Sequence, residues 1–168
     1  YFTFSQAIEG YNISDFGWGT SNAKTVTLSF YVYSSLTGTY SVAMKNSGDD
    51  YSYLFNYTIS AANTWEYKTI TIAGDTTGTW ATDNTVGIRI DFSLGAGSTY
   101  TAAAGSWGGT YYTNPTGGQS VVGTNGATFY ITGVQLEKGS IATSFDYRPY
   151  GTELALCQRY AQAIRGNA

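Results

Sequence analysis

Hydrophobic and polar residues alternate with a period of two along most of this chain. Residues 24–33 (KTVTLSFYVY) show the alternation most clearly, and residues 39–45, 51–59 and 86–92 repeat it. In the first of these segments the apolar face consists of Val26, Leu28, Phe30 and Val32, and the polar face of Thr25, Thr27 and Ser29. Such alternation is typical of β-strands that bury one face. The pattern predicts an all-β chain of roughly eight to ten strands.

Two of the predicted strands change phase partway. Trp65 and Tyr67 occupy odd positions, whereas Ile70 and Ile72 occupy even ones. A similar change occurs within residues 129–136. Because a slip of one residue turns every later side chain to the opposite face, we expect β-bulges near Lys68 and near Gly133, with Trp65 in the core. Such bulges bend sheets into sandwiches, and eight to ten strands joined by short turns indicate an antiparallel β-sandwich, here a jelly roll.

The last segment departs from the strand pattern. Residues 152–164 (TELALCQRYAQAI) place apolar side chains at helical spacing, after Thr152 as a candidate N-cap. We therefore expect a β-sandwich domain over 1–151 and a helix over 152–166. So short a helix is marginal alone, so it must pack on its own sandwich or on a neighbouring subunit. The stripe that would form the subunit contact is Leu154, Cys157, Ala161 and Ile164. Inside this stripe the lone cysteine is expected to be a buried, small apolar residue.

One connection is too long to be a simple turn. Residues 93–127 are rich in Gly, Thr and Ala but contain Trp107, Tyr111 and Tyr112. Connections of this length are usually functional or disordered, and large aromatic residues argue against disorder. Aromatic rings can stack on the C–H face of a pyranose, which makes these three residues candidates for glycan binding. Trp18 and Trp80, also flanked by glycine or small polar residues, are further candidates, with plugs over the ends of the sandwich as the favoured alternative.

Composition excludes several chemistries. The formal net charge is −3, and the eight Lys and Arg residues are scattered, which argues against a nucleic-acid partner. With no His and one Cys, His-based triads and ordinary zinc sites are excluded.

Asp75, Asp83 and Asn84 offer oxygen ligands to a calcium ion, but their spacing fits no defined calcium loop, so solvated turn residues are favoured. No run of about 18 apolar residues is present, so we expect no membrane insertion. We expect no cofactor.

Residues 129–160 (FYITGVQLEKGSIATSFDYRPYGTELALCQRY) resemble the C-terminal signature of bacteriophage tail-fibre and minor structural virion proteins. The resemblance extends upstream through residues 8–32, 63–84 and, more weakly, 92–98. In that family the segment closes a jelly-roll domain similar to carbohydrate-binding modules, so the resemblance implies a jelly roll of the galactose-binding-like type. The chain departs from the family at Ser144, where proline is common, and at Ala161, where a second aromatic residue is common.

The resemblance implies a part of the virion surface, often trimeric, with no agreed catalytic residues. Together with the aromatic loop it predicts a non-enzymatic domain for host attachment through weak glycan contacts multiplied by homo-oligomerisation, with a trimer favoured. Its partners would be a host cell-surface glycan and other virion proteins. The alternative is a purely structural virion protein that binds no sugar; a depolymerase would need two carboxylates facing each other across a cleft. Because the chain begins at Tyr1 rather than Met, we expect it to derive from a longer or processed polypeptide.

Overall fold

Two antiparallel sheets face each other in the computed structural model, which describes residues 1–161. The strands of that part of the chain are β1 (Phe2–Glu9), β2 (Val26–Ser34), β3 (Gly38–Lys45), β4 (Ser52–Ile59), β5 (Glu66–Ile72), β6 (Val86–Gly95), β7 (Thr101–Ala102), β8 (Trp107–Gly108), β9 (Asn114–Pro115) and β10 (Phe129–Lys138). One sheet has the order β1-β6-β3-β4-β8, and the other has the order β10-β2-β5. The short strands β7 and β9 form a separate parallel pair. The predicted all-β antiparallel sandwich with a short C-terminal helix is confirmed.

The core lies between the two sheets and follows the predicted alternation. Val26, Leu28, Phe30 and Val32 of β2 are fully buried against the inner residues of β3, β4 and β6. The Phe30 ring bridges the layers, with its centroid 5.1 Å from that of Phe92 and 5.2 Å from that of Tyr57, both nearly edge to face. Edge-to-face aromatic pairs add stabilisation beyond the area that they bury. Phe30 therefore fixes the spacing of the two sheets.

Only one of the two predicted bulges is present. The pairing of β10 with β2 shifts register between Thr132 and Gln135, and Gly133 within this bulge has φ of 58°. That left-handed conformation favours glycine. The pairing of β2 with β5, in contrast, is regular from Glu66 to Ile72, so the bulge near Lys68 was a wrong prediction. Trp65 and Tyr67 do not change phase; they point away from the core, and the prediction that Trp65 is a core residue was also wrong.

The C-terminal helix α1 spans Tyr150–Gln158 and sits beside β1. It begins two residues earlier than predicted, with Pro149 rather than Thr152 at the N-cap position. All nine of its residues are exposed, so the expectation that Cys157 is buried was wrong. Of the predicted contact stripe, Leu154, Cys157 and Ala161 are exposed, and Ile164 lies outside the described residues. No helix within residues 1–161 is both long enough and apolar enough to span a membrane.

The two sheets differ in width, and α1 lies beside β1, the edge strand of the wider sheet. The five-stranded sheet is wider than the three-stranded one, and β1 extends past the covered core, so that the Phe4 side chain stays 59% exposed. An open groove of about 870 Å³ separates β1 from α1. Arg159 reaches across it to Glu9, with Nη2 2.6 Å from Oε1, and the Tyr160 hydroxyl donates to Oε2 at 2.7 Å. The hydrogen bond from Arg159, assisted by the one from Tyr160, lowers the pKa of the Glu9 carboxyl.

Replacing Phe30 with alanine should lower the free energy of unfolding by about 3–5 kcal/mol, because it opens a cavity between the two sheets. Its neighbour Tyr31 provides a matched control, because its ring lies on the opposite face of the same strand and is 45% exposed. Tyr31→Ala should cost less than about 1 kcal/mol. Urea denaturation of both variants measures the difference. Equal losses would contradict the assignment of the two faces.

Candidate functional site

Three of the five predicted ring-stacking residues form one tryptophan cluster. The ring centroids of Trp18 and Trp80 are 4.8 Å apart, and Trp107 lies 5.2 Å from Trp18 and 5.4 Å from Trp80. Strand β8 brings Trp107 to this position by pairing with β4, where Trp107 is opposite Tyr53. The cluster therefore covers the end of the core along the edge of the five-stranded sheet.

The indole N–H groups of this cluster are all satisfied within the chain. Trp18 donates to the carbonyl of Lys24 at 2.8 Å, and Trp107 donates to the carbonyl of Ala73 at 3.0 Å. Trp80 donates to Asp75 Oδ2 at 2.7 Å. Trp18 and Trp80 are also buried, with 6% and 8% of their surface exposed, so neither presents a free ring face to a sugar. Both are plugs, as the favoured alternative predicted.

The long connection is a packed layer rather than a free loop. It crosses the outer face of the five-stranded sheet, where Tyr111 packs on Ala43 and Leu54 in a second small core, with Tyr112 beside them. Ser41 Oγ donates to the carbonyl of Thr113 at 2.7 Å, which ties the layer to β3. Tyr111 is only 8% exposed, so the prediction that it offers a stacking face to a glycan was wrong.

Trp107 and Tyr111 do not lie in one cluster. Trp107 pairs with Tyr53, whose side chain faces the core, whereas Tyr111 packs on the neighbouring residue Leu54, which faces the opposite side of the sheet. Because successive side chains of a strand point to opposite faces, the two rings are separated by the sheet itself. Trp107 and Tyr112 remain half-buried. The structure thus does not bring the predicted loop aromatics together into one exposed surface.

A buried polar network lies beneath this layer. Lys45, 2% exposed, places its Nζ 3.4 Å from Asp91 Oδ2 and 3.7 Å from the centroid of the Tyr111 ring. The Tyr111 hydroxyl donates to Asp91 Oδ2 at 2.7 Å, and Ser5 donates to the other carboxylate oxygen. Burial, reinforced by the hydrogen bond to Asp91, raises the pKa of the Tyr111 hydroxyl well above its usual range. Paired and hydrogen-bonded in this way, the buried charges hold the long connection on the sheet.

Two of the three candidate calcium residues, Asp75 and Asp83, accept hydrogen bonds from donors in their own turns. Asp75 is 1% exposed, and its Oδ2 accepts hydrogen bonds from Trp80 and from the backbone N–H of Gly78, the latter at 2.6 Å. Asp83 Oδ1 accepts from the backbone N–H of Thr85 at 2.9 Å. In the part of the chain that the structure describes, no three acidic, His or Cys residues are grouped as a metal site requires. The arrangement of Asp75 fits a turn cap better than a calcium ligand.

Exposed aromatic rings occur instead on the outer face of the three-stranded sheet. The residues of this aromatic face are the exposed Tyr31, Trp65, Tyr67 and Tyr130 and the half-buried Tyr33 between them. Tyr33 lies opposite Tyr130 on β10, with ring centroids 5.5 Å apart, and 5.6 Å from Trp65 on its other side. Tyr31 lies opposite Tyr67 on β5, at 4.8 Å. The rings therefore form two rows that cross the strands.

The aromatic face is open to solvent, and none of its side chains is charged. Tyr31, Trp65, Tyr67 and Tyr130 are 45%, 49%, 47% and 54% exposed, respectively. The next outward position of β10 is Thr132, and that of β5 is Thr69. The Tyr33 hydroxyl donates to Asn63 Oδ1 at 3.3 Å. At the far end, Phe145 and Tyr31 both lie beside Gly133, where the chain after β10 folds back along the sheet. The result is a ring-lined surface bordered by hydroxyl and amide groups.

Sequence reasoning missed this face, although its signal was present. In residues 24–33 the face opposite the core begins with Thr25, Thr27 and Ser29 but continues with Tyr31 and Tyr33. Aromatic residues at positions where a strand should be polar indicate an exposed functional surface as readily as a change of phase. The odd positions of Trp65 and Tyr67 carried the same signal.

Comparisons with protein families, with curated proteins and with solved structures give no match to this chain. The resemblance to phage virion proteins carried by residues 129–160 therefore stays a prediction.

Acid should remove the contribution of Asp75 to stability. Burial opposes ionisation of this carboxyl, but hydrogen bonds from Trp80, Gly78 and Thr77 outweigh it and hold its pKa below the usual value. A carboxylate with a lowered pKa stabilises the fold above about pH 4, and this stabilisation is lost as the pH falls through the lower, folded-state pKa. Asp75→Asn should lower the free energy of unfolding by about 1–3 kcal/mol at pH 7. This difference from the unmodified chain should narrow towards about pH 3.

Urea denaturation between about pH 3 and pH 7 measures this gap in the free energy of unfolding between the variant and the unmodified chain. Asp83→Asn serves as a control, because hydrogen bonds from Thr85 also lower the pKa of Asp83, but in an exposed turn. Its gap should have the same pH dependence and a smaller size. A gap for Asp75→Asn that stays constant down to about pH 3 would show that its carboxylate is not the stabilising form.

Proposed function

We propose that this chain is a non-enzymatic domain at the surface of a bacteriophage virion, on a tail fibre, spike or capsid decoration, that attaches the particle to host-surface glycans. The aromatic face makes the contacts, and the tryptophan cluster and the long connection build the scaffold. Each site binds weakly, and several copies in one homo-oligomer supply the avidity.

The aromatic face is the observation that carries this proposal. A Tyr or Trp ring offers a flat apolar surface with a polar edge, which suits the alternating C–H and hydroxyl surfaces of a sugar. Four of the five rings project from paired strands, and Trp65 directly precedes β5 with its ring 5.6 Å from that of Tyr33, so their positions are fixed before a ligand arrives. Preorganisation of this kind lowers the entropy lost on binding.

Two observations favour binding without catalysis. The chain contains no His, and no side chain of the two aromatic rows is a carboxylate. The buried Lys45 and Asp91 are covered by Tyr111 and the long connection, so a polysaccharide cannot reach them. General acid and base groups would have to stand beside the bound sugar.

Exposed apolar residues after β10 support oligomerisation. Ile141, Tyr147 and Tyr150 are 77%, 86% and 79% exposed, and Leu154 and Leu156 on α1 are also exposed. Apolar side chains concentrated in one segment mark an interaction surface. We assign this segment to contacts between copies, in a trimer as the family resemblance implies, and to contacts with other virion proteins.

A purely structural virion protein is the second candidate, and the same exposed segment favours it. In that case the aromatic face would also be covered by a neighbouring subunit and would bind no sugar. The two candidates differ in whether the rings of the aromatic face are accessible in the oligomer.

Loss of the two rings that flank Tyr33 should weaken glycan binding. On a glycan array, the full-length oligomer should give signals that fall at least about tenfold in a Trp65→Ala/Tyr130→Ala variant, because each stacking contact is worth on the order of 1 kcal/mol and the loss multiplies across copies. Tyr11→Ala is the matched control, since it removes a 59% exposed ring outside the aromatic face.

The Tyr11→Ala variant should keep its signals. Background signals for the unmodified oligomer would favour the structural candidate, and equal signals for all three proteins would show that sugars bind elsewhere. A Trp107→Ala variant tests whether Trp107 contacts the sugar. The variant should lose stability without a selective loss of glycan binding, because the Trp107 ring packs on Trp18 and Trp80.

Removal of the helix should dissociate the oligomer. A chain ending after Gly151 lacks the exposed Leu154 and Leu156, and light scattering should report the mass of a single chain. Glu9→Gln is the control, because it weakens the contact with Arg159 but keeps the apolar residues of α1. This variant should keep the oligomeric mass. A monomeric full-length chain, or an unchanged mass after truncation, would contradict the assignment.

A further inference from the structure

We infer that the aromatic face recognises a single, uncharged polysaccharide chain that runs across the strands, rather than an anionic glycan or a crystalline polysaccharide surface. This inference rests on the proposed function and specifies its ligand. It follows from the direction of the ring rows, the relative tilt of the rings and the charge around them.

The rows give the direction of the ligand. Tyr130, Tyr33 and Trp65 stand side by side on three neighbouring chain segments, with successive centroids 5.5 and 5.6 Å apart. Hydrogen-bonded strands set this spacing. It is close to the length of one pyranose unit in an extended chain, so a glycan that crosses the strands can place one sugar over each ring. A glycan along a strand would meet rings separated by two residues.

The tilt of the rings excludes a flat ligand. The plane of Tyr33 is inclined by 52° to that of Trp65 and by 67° to that of Tyr130, and Tyr31 is inclined by 42° to Tyr67. An ordered, planar polysaccharide surface can lie on one such ring but not on its neighbours. A single chain can turn about its glycosidic bonds and follow the change of plane.

The charge around the aromatic face favours a neutral ligand. Its rows contain only Tyr and Trp, and the adjoining outward positions are Thr132 and Thr69. On the same face of β10 the nearest charged side chain is Glu137, whose carboxylate accepts from the backbone N–H of Thr143 at 3.0 Å. Arg148, in the segment that folds back beside Phe145, already pairs with Asp146 and Glu153, at 3.6 and 3.5 Å. Among the residues that the structure describes, no unpaired cation therefore borders the rows to meet a uronate or a phosphate group.

The size of the aromatic face fits an oligosaccharide better than a second copy of the chain. Two rows on three strands span roughly 10 Å by 7 Å between their α-carbons. A stable protein interface buries about 800 Å² on each partner, more than ten times this footprint. A short run of sugars covers it fully.

Affinity gel electrophoresis of the full-length oligomer tests the inference. The gels contain neutral soluble polysaccharides (barley β-glucan, galactomannan and dextran) or anionic ones (alginate and polygalacturonate), and sedimentation with microcrystalline cellulose and chitin tests crystalline surfaces. We expect retardation by at least one neutral polymer, unchanged between about 0.05 and about 0.5 M NaCl, and weakened at least tenfold in Tyr33→Ala and Trp65→Ala. The Tyr11→Ala control should behave as the unmodified chain.

Other outcomes separate this inference from the proposed function. Retardation by an anionic polymer, or sedimentation with a crystalline one, that is lost in Trp65→Ala would overturn the inference and leave glycan attachment standing. No interaction with any polymer, together with a blank glycan array, would overturn both. Circular dichroism of each variant shows that its sheet is intact, so that a loss of binding reports the missing ring.

Discussion

Strand β2 is the central strand of the three-stranded sheet, and both of its faces carry large apolar rings. On one side Phe30 packs between Phe92 and Tyr57 and holds the two sheets together. On the other side Tyr31 and Tyr33 meet solvent. Since β5 and β10 pair with β2 on either side, the register that buries Phe30 also aligns the outer rings. The core thus determines the geometry of the aromatic face.

The remaining aromatic residues serve the scaffold. The tryptophan cluster covers the end of the core, with each indole N–H bound to a carbonyl or carboxylate oxygen of the same chain. Tyr111 anchors the long connection through Asp91 and Lys45 on the opposite side of the five-stranded sheet. A chain with few charged residues uses buried rings in this way to fix loops that have little regular secondary structure. Rigid loops and a rigid sheet leave the outer rings as preorganised contacts.

The alternation of the sequence was sufficient to predict the sandwich, the inner face of β2 and the bulge at Gly133, because each depends on local side-chain periodicity. The candidate site was not predictable in the same way. Loop aromatics such as Trp107 and Tyr111 looked exposed, but tertiary contacts bury them wholly or partly. Trp65 and Tyr67 looked like core residues before a bulge, because an exposed aromatic pair and a change of phase produce the same pattern. Only the regular pairing of β5 with β2, which sets Tyr67 opposite Tyr31, distinguishes the exposed pair from a change of phase.

The central claim is that Trp65 meets the ligand while Trp18, Trp80 and Trp107 are structural. The four indole N–H signals in a ¹H–¹⁵N spectrum of the labelled protein test it directly, because each reports one tryptophan. During titration with a neutral soluble polysaccharide that retards the protein in gels, the account predicts that the Trp65 signal shifts and the other three stay in place. Shifts of the Trp18, Trp80 or Trp107 signals with an unmoved Trp65 signal would contradict it.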